Sequence, residues 1–482
     1  MNILLGSSEI QPFSKTGGLA DMVAALGKYL GEAGVHVGMV TPLYRGLLEQ
    51  YEGIQRTERT IDVSLGARIE RARIYEFQPS ENFTIYFVEH VHFFQRSGIY
   101  GEHSHDYADN AERFLFLTRV LLKLTFELSW KPDLVHIHDW PVAMFPAMLR
   151  QALAEGTVTE PPKTLCTIHN LAYQGLFPAS QVSLANLDAS YFTPAGMEFY
   201  EKMNFLKAGI VYADYVSTVS PAYAAEILTP EFGCGLEGVL AERKDELSGI
   251  LNGVDYAEWN TTKNKFLNFS YNIDRIAGKA KEKKQLQKDL GLPVEPKVPL
   301  FGMISRLVEQ KGVSLLIEAL QQSLNHSMQF VLLGSGDPEL EGMMQDLQER
   351  FPDRVKVKIG YDVGLSHRIE AACDFYMMPS RFEPCGLNQL YSLRYGTIPI
   401  VHAAGGLRDS VIDEAESTEK ATGVKFHDFT SAAVLEGIYR GMAIYKKPAS
   451  LRSYRRRAME ADFSWERTAQ AYIELYRKIL SE

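Results

Sequence analysis

Cysteine is scarce in this sequence of 482 residues. The four present, Cys166, Cys234, Cys373 and Cys385, are scattered and form no CxxC pair, which excludes a disulfide framework and the usual zinc spacings. Long apolar runs are missing too. No uninterrupted stretch reaches the ~18 residues needed to cross a bilayer. The opening MNILLGSSEI has neither the basic start nor the apolar run of an export signal. Basic residues are outnumbered, 50 Lys and Arg against 60 Asp and Glu, for a net charge of −10. Nucleic acid or an anionic membrane as principal partner would call for a basic face, so both are excluded in that role, while a small cationic pocket for a phosphate is not. Asn82-Phe-Thr and Asn268-Phe-Ser fit the glycosylation triplet, but without an export signal they read as chance matches. Together these absences predict a reduced, cytoplasmic protein.

What is present is ordinary globular composition, 46% hydrophobic and 23% charged, over a length that suggests at least two domains. Short apolar runs alternate with amphipathic stretches. Strand candidates in the first half are 2–7, 35–41, 83–89, 133–139, 164–169, 215–219 and 247–252, with helical patterns such as 19–30 and 111–128 between them. The second half repeats the theme at 300–304, 329–333, 355–360, 375–379 and 398–402. Near-continuous apolar strands alternating with helices predict parallel sheets covered on both faces, hence an α/β chain with two doubly wound domains. Segment 255–299 loses the apolar periodicity and carries a charged helix over 277–290, which sets the boundary: domains at 1–258 and 259–462, with a strong amphipathic helix in 463–482. Ligands of such sheets bind beyond the carboxyl ends of the strands, so a cleft between two facing edges is the expected active site.

Three motifs stand at such edges. Lys15-Thr-Gly17-Gly18-Leu-Ala-Asp21 follows the first strand. Two glycines at a helix entry let backbone approach a ligand closely, free amides attract an anion, and Lys15 adds charge. A tight turn with an exposed lysine explains the same pattern locally. In the second half a strand ends near Ser305, and Arg306 and Lys311 follow it. Two cations there suit a diphosphate, one as a fork and one as a point charge. The third motif, Pro379-Ser-Arg381-Phe-Glu383-Pro384-Cys385-Gly386-Leu387-Asn388-Gln389, follows the strand at 375–378 and opens a helix near Gly386. Glu383 can accept hydroxyl hydrogen bonds beside free helix amides; a capping carboxylate is the plainer alternative. No base accompanies Cys385 in the sequence, so it reads as a packed thiol. In Asp133-Leu-Val-His136-Ile-His138-Asp139-Trp140, alternation puts both histidines on one face and Asp139 on the other, which disfavours a metal site. His169 ends the next strand, within reach of the cleft. His103 and His105 stand in a polar loop outside any motif.

In order, KTGGLAD (15–21), HDW (138–140), TIHNLAYQG (167–175), ILNGVD (250–255), SRLVEQKG (305–312), LLGSGD (332–337), SRFEPCGL (380–387) and AAGGLRDSV (403–411) resemble the bacterial glycogen synthase and plant starch synthase family of retaining glucosyltransferases. The resemblance spans essentially the whole chain. It implies the GT-B architecture, two facing Rossmann-like domains with the last helix crossing back onto the first, and a cytoplasmic or plastid-stromal setting. It implies a nucleotide-sugar, ADP-glucose, and an α-glucan as partners, with no cofactor and no metal. Lys15, Arg306 and Lys311 would neutralise the leaving diphosphate. Glu383 would hold the transferred glucose, with His169 and Asn252 at its 6-hydroxyl and the His169 backbone assisting transfer. Asp21 and Asp139 would lie on the acceptor or glucose side, and Tyr361 would stack on the base. Gly17 and Gly18 would admit the donor, and Cys385, Gly386, Leu387 and Asn388 would complete its clamp.

Retention commonly means a double displacement through a carboxylate, but the family favours front-side attack on an oxocarbenium-like species. Glu383 is then a positioning and electrostatic group and not a nucleophile. Two features depart from the family pattern. Position 388 is asparagine where many relatives carry threonine beside the phosphate, which predicts altered donor affinity. The acceptor-side segment 94–100 is a looser match. UDP-glucose or another acceptor, as in a sucrose-type synthase, stays open as an alternative, as does a non-catalytic glucan-binding protein. Glucan phosphorylase shares the architecture but needs a pyridoxal phosphate lysine and a much longer chain.

Overall fold

The computed structural model describes residues 1–102 and 105–482; His103 lies outside them. The chain divides into two compact units, Met1–Ile250 with Trp465–Glu482, and Leu251–Ser464. The first crossing thus precedes the expected 258/259 and the second follows 462/463. The physical reason is contact with the C-terminal unit's own segments: the Asn252 N–H donates to the Cys385 thiol, and the Arg394 guanidinium lies over the Tyr256 ring at 4.1 Å. The Val254 N–H also donates to Phe463 O at 2.7 Å, and the Phe463 N–H to the Tyr256 hydroxyl at 2.8 Å. Residues 251–258 are therefore bound to the C-terminal unit.

Among the described residues, the N-terminal unit has a nine-stranded sheet in the order Leu247–Gly249, Tyr215–Thr218, Lys163–Ile168, Leu134–His138, Asn2–Gly6, His36–Pro42, Phe83–Glu89, Arg68–Ser80, Gln55–Leu65. The first seven run parallel. Their apolar runs are buried, with Ile3, Leu4, Leu5, Val135 and Ile137 at 0% exposure, as a sheet covered on both faces requires. The last two strands form an antiparallel extension that the apolar-run reading misses. Over Gln55–Leu65 exposed and half-buried positions dominate the first half, so no continuous apolar run marks it.

Helix Gly18–Glu32 buries Ala20, Met22, Val23, Leu26 and Leu30, the spacing of one helical face. The C-terminal helix Trp465–Ser481 packs against it, with Trp465 stacked on Tyr29 at 6.4 Å between centroids. Tyr476 of that helix is fully buried, and its hydroxyl meets His136 Nδ1 at 2.8 Å. Burial pushes the His136 imidazole far below its ordinary range, so it is neutral. Tyr476→Phe leaves that ring nitrogen buried and unpaired, an expected loss of ~1–3 kcal/mol. The urea midpoint should fall with the slope unchanged, and transfer activity should be retained.

The C-terminal unit is built on a six-stranded sheet among the described residues, in the order Val355–Ile359, Gln329–Gly336, Leu300–Leu307, Phe375–Met378, Ile398–His402, Val424–Phe426, all parallel. The charged helix Ala277–Asp289 docks on it through buried lysines, Lys283 pairing with Asp374 at 2.6 Å and Lys279 donating to Thr397 Oγ1 at 2.5 Å. In both units the strand order reverses beside the first strand, between Asn2–Gly6 and Leu134–His138 and between Leu300–Leu307 and Phe375–Met378. Such switch points leave a crevice at the carboxyl edge.

Candidate active site

In the C-terminal unit the register of Leu300–Leu307 on Phe375–Met378 pairs Phe301 with Phe375 and Gly302 with Tyr376, and stops there. Beyond it lies a cavity of about 210 Å³. Ile304, Ser305 and Arg306 line it from one strand and Met377 and Met378 from the other, with Lys311, Ser380, Glu383, Leu387 and Asn388 from the following segments. Glu383 is only 8% exposed. Its Oε2 accepts from Lys311 Nζ at 2.5 Å and from Ser380 Oγ at 3.0 Å, so Oε1 is available to hydroxyl donors. One carboxylate facing two cations leaves the cavity positive, which suits an anion.

Backbone contact fixes this loop. The Gly406 N–H donates to Glu383 O at 3.0 Å. A Cβ on Gly406 would stand 2.0 Å from Cys385 O, and one on Gly405, at φ +46°, would stand 2.1 Å from Glu383 O. Only glycine allows that approach, which accounts for the AAGGL motif. Glu383 does not cap the next helix. Helix Asn388–Tyr395 begins after Gly386, at φ +70°, and has no side-chain cap. Cys385 is buried, its thiol pushed up to about 12 by burial while accepting from the Asn252 N–H, a packed thiol and not a nucleophile. The Asn252 side-chain oxygen is buried without a protein partner. Tyr361, after Gly360 at φ +127°, is 84% exposed and offers a bare ring face.

The N-terminal unit holds a second group of the singled-out residues. Lys15 pairs with Asp21 at 2.7 Å; burial pushes the Asp21 carboxyl up while Lys15 opposes it. A Cβ on Gly17 would meet nothing within 4 Å, so the protein's own packing does not demand glycine at this helix entry, and Gly18 begins the helix. The strand Leu134–His138 ends on Asp139 at φ +58°, a bend that turns its carboxylate onto the next loop. Asp139 Oδ1 accepts from the His169 N–H at 2.7 Å, and burial pushes this carboxyl up to about 7. His169 Nε2 lies 3.1 Å from His138 Nδ1, and burial depresses the His169 imidazole to about 3. The rings of His136 and His138 stand 4.0 Å apart, on one face as alternation requires, and among the described residues no three His, Cys, Asp or Glu groups are placed to hold a metal.

The starch synthase catalytic domain family matches residues 2–242, and glycosyl transferases group 1 matches 276–458. A glycogen synthase of Anaeromyxobacter sp. (strain Fw109-5) is 45% identical over 480 residues, covering 99% of each chain. One from Syntrophotalea carbinolica is 42% identical over 478 residues, again 99% of each.

The chain belongs to the glycogen and starch synthase family.

It is therefore a glycosyltransferase, and its fold agrees: the catalytic domain of starch synthase IV from Arabidopsis thaliana, bound to ADP and acarbose, superimposes with a TM-score of 0.89 at 34% identity, over 100% of this chain and 99% of that one. Of the residues singled out from the family's motifs, Arg306, Lys311, Glu383, Leu387 and Asn388 line one cavity, and Asn252 joins their segment through Cys385. Lys15, Gly17, Gly18 and Asp21 form one group in the N-terminal unit, and Asp139 and His169 another. The motif reading passes over Glu9. Its two oxygens accept from the Thr16 N–H at 2.5 Å and the Thr16 hydroxyl at 2.7 Å, and Oε1 also accepts from the Tyr100 hydroxyl at 2.7 Å. The glycogen synthase KTGG turn is thus shaped by an acid one loop earlier, and the one clue to it in the sequence is a carboxylate just past a strand end.

Proposed function

We propose that this glycogen synthase family member transfers glucose from ADP-glucose to the non-reducing end of an α-1,4-glucan, with retention of configuration and without a metal, in the cytoplasm. The observation that carries the reading is the C-terminal cavity, where Arg306 lines the same space as the buried Glu383, which is paired with Lys311. A relative of the same family binds ADP and acarbose, a nucleoside diphosphate and an oligosaccharide analogue.

In this reading Arg306 and Lys311 carry the charge that develops on the leaving diphosphate, and Lys15 is assigned the same part from the N-terminal unit. Stabilising charge that grows in the transition state is commonly the largest catalytic term. Glu383, with one oxygen fixed by Lys311 and Ser380, accepts from the glucose hydroxyls and orients the sugar. The unpaired Asn252 oxygen takes a further hydroxyl, Tyr361 stacks on the base, and the Gly386 and Leu387 amides complete the clamp. The leaving phosphate accepts the acceptor's proton during front-side attack, so no enzyme carboxylate forms a bond to carbon. Mass spectrometry of enzyme quenched during turnover should find no glucosyl-Glu383 adduct; trapping one would reassign Glu383 as a nucleophile.

The direct test is glucose incorporation into glycogen by the purified protein in a chelator, from ADP-glucose and UDP-glucose in parallel. Strong incorporation from ADP-glucose is expected. Incorporation from UDP-glucose alone would overturn the donor, dependence on an added divalent cation would overturn the metal-free step, and silence with both would overturn the transferase reading.

A further inference from the structure

The cavity exists because two neighbouring strands stop pairing after Gly302↔Tyr376, and one side chain takes over where the ladder ends. Tyr376 is fully buried. Its hydroxyl accepts from the Ile304 N–H at 2.8 Å and donates to the Ile304 carbonyl at 2.9 Å. Asn388 Nδ2 donates to the same hydroxyl at 2.5 Å and to the same carbonyl at 2.8 Å. A phenol has one hydrogen to give and two lone pairs to accept with, and an amide nitrogen has two hydrogens. All of these are used, so the network is closed.

Its location matters more than its completeness. Ile304 is the residue from which the strand delivers Ser305 and Arg306 to the cavity, and Asn388 is the first residue of the helix Asn388–Tyr395. On its other side the strand remains in register with Gln329–Gly336, Ile304 opposite Leu333. On the side where Phe375–Met378 offers no ladder partner, the phenol and the amide take up the Ile304 N–H and carbonyl. They tie the wall bearing Arg306 to the wall that begins the helix. A buried network of this kind rigidifies when every member is satisfied and fails when one is removed.

We infer that Tyr376, acting with Asn388, is a positioning residue for the diphosphate of the donor: it fixes the Ile304 backbone so that Arg306 meets the phosphate beyond the one next to the nucleoside. The inference rests on the donor reading above and goes beyond it, because Tyr376 itself reaches no substrate. It also gives the asparagine at 388 a role: its two N–H groups serve the phenol and the strand carbonyl together, which a threonine hydroxyl with its single hydrogen cannot do.

The test is calorimetric titration of ADP and of AMP into the full chain carrying Tyr376→Phe, Asn388→Ala, or both, beside the wild type. Tyr376→Phe should weaken ADP about tenfold, the worth of a buried hydrogen bond or two, and change AMP by less than about threefold on the same reasoning. Asn388→Ala should do likewise. The double variant should lose less than the product of the single losses, since both act through Ile304. Equal weakening of ADP and AMP, or a lower melting temperature with unchanged ADP affinity, assigns the pair to fold stability alone and overturns the inference. A wild type that binds no ADP overturns the donor reading, and this inference with it, whereas wild-type binding with unaffected variants overturns the inference alone.

Discussion

Glu383→Ala is expected to fold, to bind ADP at least as tightly as the wild type, and to lose about 10³-fold in turnover. The first expectation follows from position: Glu383 sits on a loop held by backbone contacts from Gly406 and by the close approach of Gly405, none of which needs its carboxylate. The second follows from charge. Removing the carboxylate frees Lys311 from its 2.5 Å partner and leaves the cavity with two cations and no counter-charge, which favours a diphosphate. The third follows from the role assigned to the group. An oxygen that orients the glucose and meets its growing positive charge acts in the transition state, so its loss appears in kcat and not in donor affinity. Glu383→Gln retains the shape but not the charge and should fall almost as far. Near-wild-type turnover by either variant, or a loss confined to donor binding, would remove Glu383 from the reaction.

The parallel strands were legible because a strand buried on both faces must be apolar at successive positions, as Asn2–Gly6 and Phe375–Met378 are. The pair Gln55–Leu65 and Arg68–Ser80 was not, because much of it faces solvent and its composition is that of a polar loop. The unit boundary differs by a few residues for another reason: Asn252 and Tyr256 are held by Cys385 and Arg394 of the C-terminal unit, and no local pattern announces contacts that distant in sequence. At the site, cations and a carboxylate near strand ends stand out against apolar surroundings, so Lys311, Glu383 and Arg306 (the last within Leu300–Leu307, two residues beyond the expected strand end) could be named from spacing and motif. Tyr376 could not. In Phe375–Met378 it reads as one more core residue, and only in the fold does its hydroxyl complete the strand beside it. Glu9 escaped for a similar reason, since its partners Thr16 and Tyr100 come together only once the chain has turned back on itself.

Asp139 joins backbone strain to proton linkage, and it yields the second large effect. Held at φ +58°, it spends conformational energy to direct its carboxylate at the loop bearing His169, and strain of this kind persists where the surroundings over-determine it. Burial raises its pKa from an ordinary 3.8 to about 7, against hydrogen bonds from the His169 and Asn170 amides that favour the charged form. Because the folded value is raised, the stability contributed by the protonated form is fully present below about 3.8 and is lost as pH rises through about 7. Asp139→Asn keeps an acceptor for the amides and removes the charge. It should match the wild type in stability only near or below pH 3.8, and its advantage should grow up to about pH 7 and hold above it, read from urea midpoints across that range. Turnover should respond in the opposite sense. If the ionised carboxylate is what steadies the His169 backbone during transfer, wild-type kcat rises as pH passes through about 7, and the variant is slower by about 10²-fold at pH 8 with a flat profile. His169, depressed to about 3, stays neutral throughout and cannot produce that limb. A variant that retains the limb would assign the ionisation to another group, and one as active as the wild type at pH 8 would leave the strain at Asp139 without a catalytic purpose.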